Sequence, residues 1–376
     1  NIVALEGFDE GLRQAVRHLT SREGGGVLQP DDACTKTGRP VEEVLREKHP
    51  HLRDPTTLGG KTGAFETYSN VPDVIPLIIT SETVEDVASR LSGAAGPGGT
   101  DAVDFRNWLL RFGAESEALR EEMAFWANWL ANDHPPWAAY RAVMAGRLVA
   151  LDKEPGVRPL GIGEVYRRLW SKCILKVCGS QATAACDNHN LCAGLRAGIE
   201  GAVHAVGATM DPPGSTVETV GTNSPDGPGA GAPTPAPALP PANTPPSTPT
   251  VMAVEGEPRL GATATNLVDA RNGFNELSRK AMLWTVRHRW SAAAKFAFNC
   301  YRHAVLLMLR RRGGACTIIL SSEGVTQGDP ISMVVYGLTL VPLSESLRSA
   351  VPTLVQPWYA DDAAMTGSPR DIAKAF

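Results

Sequence analysis

The sequence predicts an α+β fold in which short antiparallel strand pairs pack against helices. Three observations lead there. Asp104–Leu130 places Trp108, Phe112, Leu119, Met123, Trp126 and Leu130 at helical spacing, which predicts one amphipathic helix. Arg147–Leu151 and Val157–Ile162 flank Asp152-Lys153-Glu154-Pro155-Gly156, a strong turn signal between two strand-like runs, hence a β-hairpin. Val355–Thr366 reads as two strands bent around Asp361-Asp362.

The other elements follow in chain order. Val41–Lys48 and Thr83–Leu91 read as short helices among loops rich in Gly and Pro. Gly59-Gly60-Lys61-Thr62 lacks the earlier glycine of a phosphate-binding loop, since Pro55 occupies that position, so it is not read as one. Pro135-Pro136 ends the amphipathic helix, and Trp137–Ala145 starts another. Glu164–Cys178 follows the hairpin as a helix with a basic face. Thr263–Val268 is a short strand, Glu276–Arg289 a helix and Ala292–Arg312 a long helix. Cys316–Leu320 is a strand, and Ile331–Ser349 a helix that tolerates Pro342. His204 and His303 read as ordinary helix residues.

The chain has 376 residues, enough for two ordinary domains or for one large domain with an appendage. Its longest apolar runs, such as Ala304–Leu309, fall far short of the ~20 residues that span a membrane. No basic-then-apolar opening precedes a small-residue cleavage site, so no secretory signal is expected. The seven cysteines are spread along the chain and are expected as reduced thiols in an intracellular compartment, nuclear or cytoplasmic.

The net charge of −4 conceals a segregated distribution. Residues 1–140 hold 13 Lys/Arg against 22 Asp/Glu and form an acidic, mostly helical N-terminal region. Residues 141–200 hold nine against five, and residues 259–312 hold 11 against two. A block that basic suits a polyanion, although solvated helix faces would look the same. Between the basic blocks, residues 211–258 carry 13 prolines and no basic residue. This composition cannot bury enough apolar area to offset its ordering entropy, so it reads as a disordered Pro-rich insert, or as a docking site for proline-reading modules.

Two strand ends deliver acids that have no partner in the sequence pattern. One is Asp269, after the apolar run Leu267-Val268; the other is Asp361-Asp362, after Tyr359-Ala360. Adjacent acids at a tight turn repel each other, and a pair of divalent cations relieves that repulsion. Mg²⁺ takes hard oxygen ligands, commonly one or two carboxylates plus substrate phosphates, and a metal pair suits phosphoryl transfer. The plain alternative is an exposed turn at Asp361-Asp362 and a helix N-cap at Asp269.

Four motifs in order then resemble those of reverse transcriptases, the third of them in the form typical of non-LTR retroelements and related intron-encoded enzymes. Val157-Arg158-Pro159-Leu160-Gly161-Ile162 resembles the fingers hairpin, and Leu267-Val268-Asp269-Ala270-Arg271-Asn272-Gly273-Phe274-Asn275 the first palm motif. Gln327-Gly328-Asp329-Pro330-Ile331-Ser332 resembles the next motif, and Tyr359-Ala360-Asp361-Asp362 the metal-binding hairpin. The resemblance implies fingers over residues 141–210 and a palm with an antiparallel sheet over 259–376, the thumb not being included. It also implies RNA-directed DNA synthesis from deoxynucleoside triphosphates, on an RNA template with a DNA or RNA primer. Two Mg²⁺ would serve, with Mn²⁺ as a substitute, and no membrane is involved.

The implied roles fall on particular residues. Asp269 and Asp361 would bridge the metals, with Asp362 nearby and the Ala270 carbonyl completing the coordination. Lys153 and Arg158 would clamp the triphosphate, since guanidinium forks suit phosphate oxygens; a solvated Lys153 and an Arg158 ion pair to Glu154 or Glu164 are the plain alternatives. Gln327 and the Gly328 backbone would meet the sugar and base, although Gly328-Asp329-Pro330 also reads as a helix start. Phe274, five residues after Asp269, would exclude a ribose 2′-hydroxyl, or is simply a core phenylalanine. Arg287, Arg289 and Trp290, with Arg310, Arg311 and Arg312, would contact a template–primer duplex, or are helix C-terminal cations. Cys186, His189 and Cys192, with Cys173 and Cys178 nearby, raise zinc, but the spacing fits no common finger and these cysteines fall at helical positions. A non-catalytic nucleic-acid-binding remnant of such an element is the runner-up. An RNA-dependent RNA polymerase comes third, disfavoured by Phe274 and Ala360.

Overall fold

The computed structural model describes residues 26–53, 71–153, 155–195, 197–210 and 263–376. The Pro-rich insert and Lys61 lie outside the described residues. In chain order the elements are β1 (Val27–Leu28), α1 (Val41–Glu47), α2 (Ser81–Ser89), α3 (Ala102–Leu110), α4 (Ala114–Asn132), α5 (Trp137–Met144), β2 (Gly146–Asp152) and β3 (Val157–Gly163). There follow α6 (Val165–Cys186), α7 (Gly198–Met210), β4 (Ala264–Asp269), α8 (Gly273–Glu276), α9 (Arg279–Arg289), α10 (Ser291–Tyr301), β5 (Val305–Arg310) and β6 (Cys316–Ser321). The chain continues with α11 (Ser332–Ala350), β7 (Trp358–Tyr359), β8 (Asp362–Gly367) and α12 (Pro369–Ala375).

The fold is α+β, with two sheets set around a helical body. In the first sheet β2 pairs along its whole length with antiparallel β3. β1 pairs antiparallel at Ala150–Leu151 and β5 parallel at Gly146–Leu148, and β6 closes the sheet beside β5. Its inner face sets Leu148, Ala150, Leu307, Leu309 and Ile319 against Val41, Val44 and Leu45 of α1. The second sheet is antiparallel, in the order β4-β8-β7, and rests on Leu340 and Leu347 of α11 through Trp358, Ala363 and Met365. The main core is mostly helical, draws on residues from Leu77 to Ala360 and is centred on α4, α6, α10 and α11.

Several elements differ from expectation, each for a local reason. The helix predicted over Asp104–Leu130 is two helices, because the chain turns out of helical geometry at Gly113 (φ 56°), where Ser116 Oγ accepts from the Phe112 amide and donates to the Trp108 carbonyl. The helix predicted over Glu276–Arg289 breaks at Leu277, and Ser278 caps a new start. Ala292–Arg312 is not one helix: α10 stops at Tyr301, and Val305–Arg310 alternates buried and open positions as a strand. The run Val-Leu-Leu-Met-Leu satisfies either period, and pairing with β2 and β6 decides it. His303 therefore lies in a bend rather than a helix. The helix after the hairpin runs on to Cys186, and of its basic residues Arg167 and Arg168 are buried while Lys176 is exposed. All seven cysteines are free thiols and six are buried. Among the described residues no helix is long and apolar enough to cross a membrane.

Candidate functional site

Strand register brings the acids together. Asp269 ends β4 directly opposite Asp362, the first residue of β8, and Tyr359 of β7 faces Asp362 from the other side. Ala360-Asp361 form the two-residue turn between β7 and β8. The Ala270 amide donates to the Asp361 carbonyl at 3.2 Å, tying the end of β4 to that turn. Asp269 is thus a strand end and not a helix cap.

Ala360 adopts φ 53°, a left-handed conformation that non-glycine residues resist. Asn190 holds it there. Its Oδ1 accepts from the Ala360 amide at 3.1 Å and its Nδ2 donates to the Ala360 carbonyl at 3.2 Å. Asn190 is fully buried, and the neighbouring Leu191 amide bonds the Trp358 carbonyl. Asn190 has no role in the sequence reading, where Cys186–Cys192 raises only the zinc question. A short polar residue between two cysteines carries no signal of a partner 170 residues away.

Gly273 stands behind the acids. A Cβ there would lie 2.5 Å from the Tyr336 hydroxyl and 3.1 Å from Asp361 Cβ, so no side chain fits. Phe274 follows, half-buried, with its ring stacked on Tyr336 at 4.5 Å and 18°. The Phe274 carbonyl accepts from the Val325 amide, which binds the Gln327 loop to α8. Gly328 has φ 100°, and a Cβ there would lie 2.6 Å from the Gly161 carbonyl, so the β3 backbone and this loop meet directly.

Asp329, next in the loop, is buried with Arg167 of α6. Arg167 Nη2 donates to Asp329 Oδ2 at 2.6 Å, Tyr301 Oη donates to the same oxygen at 2.8 Å, and Ser171 Oγ donates to Oδ1 at 3.0 Å. Burial works against the charge on Arg167, yet Asp329 holds the guanidinium ionised above its ordinary range. Asp329 is therefore the anchor of the loop more than the helix cap the sequence suggests, although its Oδ1 does accept from the Ile331 amide at 3.3 Å.

These pieces line one cavity of about 1000 Å³. Asp269, Ala270, Asp361 and Asp362 lie along it with Lys153, Arg158, Phe274, Gln327 and Gly328. Partial burial raises the Asp361 carboxyl above its ordinary value; Asp362 and Asp269 raise it further, and Arg158 opposes them. Among the described residues none of the three acids makes an ion pair, and no three His, Cys, Asp or Glu side chains close into a finished metal cage. The donor set, carboxylates plus a backbone carbonyl at an open cavity, fits Mg²⁺, which retains waters and substrate oxygens rather than filling an all-protein cage.

Lys153 and Arg158 are exposed, and neither makes an ion pair among the described residues. The alternative pairing of Arg158 with Glu164 does not occur; Glu164 accepts from the Gly98 amide.

The residues assigned to the duplex lie outside this cavity, and three of them, Trp290, Arg289 and Arg311, are committed to contacts within the chain. Trp290 is 1 % exposed, and its Nε1 donates to the Cys178 carbonyl, so it is a core residue with no face to stack on a base. Its indole fills the junction of α6, α9 and α10, an outcome helical spacing alone does not distinguish from an exposed aromatic. Arg289 is held by both Glu345 carboxylate oxygens, at 3.0 and 2.6 Å. Arg311 is held by Asp31 and Glu42. Arg310 and Arg312 are exposed at the β5–β6 turn, and Arg287 is half-buried on α9.

No protein-family model matches the chain, and no curated protein matches it.

Proposed function

We propose that the chain is an RNA-directed DNA polymerase, the reverse transcriptase of a non-LTR-like retroelement, with β4, β7 and β8 as its palm sheet and the β2–β3 hairpin as its fingers. The observation that carries this reading is the cross-strand pairing of Asp269 with Asp362, beside Asp361, in the same cavity as Lys153, Arg158, Phe274, Gln327 and Gly328. Four stretches separated by as many as 200 residues in sequence supply one cavity, in the order the resemblance implies.

In this reading Asp269 and Asp361 hold Mg²⁺, with Asp362 and the Ala270 carbonyl beside them. The ions, when bound, neutralise phosphoryl charge and activate the attacking primer hydroxyl. Lys153 and Arg158 grip the triphosphate of a deoxynucleotide. Gln327 and the Gly328 backbone orient its base and sugar, and the Phe274 ring, fixed by Tyr336, occupies the space a 2′-hydroxyl needs.

The test is incorporation of deoxynucleotides on a primed RNA template by the full chain. Incorporation should require Mg²⁺ and vanish in Asp361→Asn. Template binding with no incorporation under any metal would replace this reading with the inactive remnant. Preference for ribonucleotides would replace it with RNA synthesis.

A further inference from the structure

The cavity holds more positive charge than the sequence motifs assign to it. Besides Lys153 and Arg158, its lining includes Lys36, Lys48 and Arg271. Two of these come from the N-terminal segment, and the structure fixes both. Thr35 Oγ1 accepts from the Gly156 amide at 3.0 Å, and a Cβ on Gly156 would lie 3.8 Å from Lys36 Cβ, so Lys36 sits against the turn of the β2–β3 hairpin. At the other end of α1, Asn272 Nδ2 donates to the Lys48 carbonyl at 2.9 Å. That bond places Lys48 beside Arg271, with Asn272 itself held at φ 55°.

Among the described residues none of these five cations makes an ion pair. Of the other acids lining the cavity, Glu47 pairs with Arg39 and Glu276 with Arg53 at 3.6 Å, which leaves Asp269, Asp361 and Asp362 of the proposed metal site as its unpaired carboxylates among the described residues. The charges are close enough to oppose one another. Burial lowers the Lys48 ammonium below its ordinary value, and Lys153, Lys36 and Arg271 lower it further. A surface cluster relieves such repulsion by pointing outward; this one surrounds a recess.

We propose that Lys36, Lys48 and Arg271 complete a polyphosphate-binding wall, so that the N-terminal segment supplies part of the site for the phosphate tail of a nucleoside triphosphate. The inference rests on the polymerase reading for the nucleotide and on the cavity lining for the anion. A nucleic-acid strand carries one charge per nucleotide and needs an open track. Cations gathered from three segments of the chain along one recess match a compact anion with several charges on adjacent phosphates.

The probe is inorganic tripolyphosphate, titrated calorimetrically into the full chain without metal. Wild type should bind it. Lys36→Gln/Lys48→Gln and Arg271→Gln should each weaken binding by about tenfold or more, with the thermal midpoint kept or raised because repulsion is relieved. Lys48→Arg, which keeps the charge, should retain binding and so separate lost charge from lost folding. No binding by wild type, or equal binding by all variants, overturns the proposal. Variants that lose affinity for a single-stranded oligonucleotide while tripolyphosphate binding is unchanged overturn it in favour of a strand contact. The two readings fail separately. Tripolyphosphate binding through these residues in a chain that never incorporates nucleotides removes the polymerase and leaves the wall. Incorporation with an unchanged KM for deoxynucleotides in the variants removes the wall and leaves the polymerase.

Discussion

Replacing Asp329 by Asn alters almost no volume yet removes the one charge that balances Arg167. The side chains of both partners are 2 % exposed, so the guanidinium has no water to turn to. Its remaining partners are the Met144 carbonyl at 3.2 Å and the Tyr301 ring, 5.2 Å from the guanidinium carbon. Breaking a buried pair in this way costs about 3–5 kcal/mol, far more than the ~1 kcal/mol of an exposed pair. For a folded body of this size that corresponds to a thermal midpoint lower by roughly 5–8 °C. Denaturant titration followed by circular dichroism measures it. Arg167→Met should be combined with Asp329→Asn to close a cycle, because the double variant no longer buries an unmatched charge. Its cost should fall short of the summed single costs by at least about 2 kcal/mol. A loss below about 1 kcal/mol for Asp329→Asn, or single effects that simply add, would refute the assignment of Asp329 as the loop's anchor.

Three further outcomes are expected. Asp361→Asn should stabilise the metal-free protein at neutral pH by up to about 1 kcal/mol, because surface-level screening limits the repulsion it removes. The sign follows from the raised carboxyl: wild type loses stability as pH rises from the ordinary Asp value of 3.8 through the folded-state value, so the variant's advantage should disappear at the acid end of a thermal-shift series. Asn190→Ala leaves the Ala360 amide and carbonyl without partners in a buried turn and should cost about 2–4 kcal/mol in a denaturant titration; a cost below about 0.5 kcal/mol would show the turn holding itself. Tyr336→Ala removes the ring behind Phe274 and should raise ribonucleotide use relative to deoxynucleotide use, whereas Tyr336→Phe should not; equal sugar selectivity in both would detach Phe274 from Tyr336.

The site was legible where chemistry sits on short, local patterns. Asp269, Asp361 and Asp362 stand out because acids at the ends of apolar strands are costly without a purpose, and Val157–Ile162 stands out because its turn residues are unmistakable. The supports were not legible. Asn190 and Arg167 act across 170 and 162 residues of sequence, and each is an ordinary polar residue on a helix or loop until the fold brings its partner to it. Arginine misled twice for the same reason: Arg289 and Arg311 look like surface cations, and each is held by carboxylates from distant elements. Lys36 and Lys48 come from a stretch with no motif at all, and only the bonds at Thr35 and Asn272 bring them to the cavity. Val305–Leu309 misled for a different reason, since a run of aliphatics satisfies both periods and the neighbouring strands choose between them.

The meeting of Gly161 with Gly328 has a mechanical consequence. Two bare backbones in contact behave as a bearing without padding, so the body of the β2–β3 hairpin and the Gln327 loop travel together when either shifts. The hairpin's turn is tied separately to the N-terminal segment, where the Gly156 amide, at φ 120°, donates to Thr35 Oγ1 at 3.0 Å. A bulky residue at position 161 would wedge the recess ajar without touching any charged group in it.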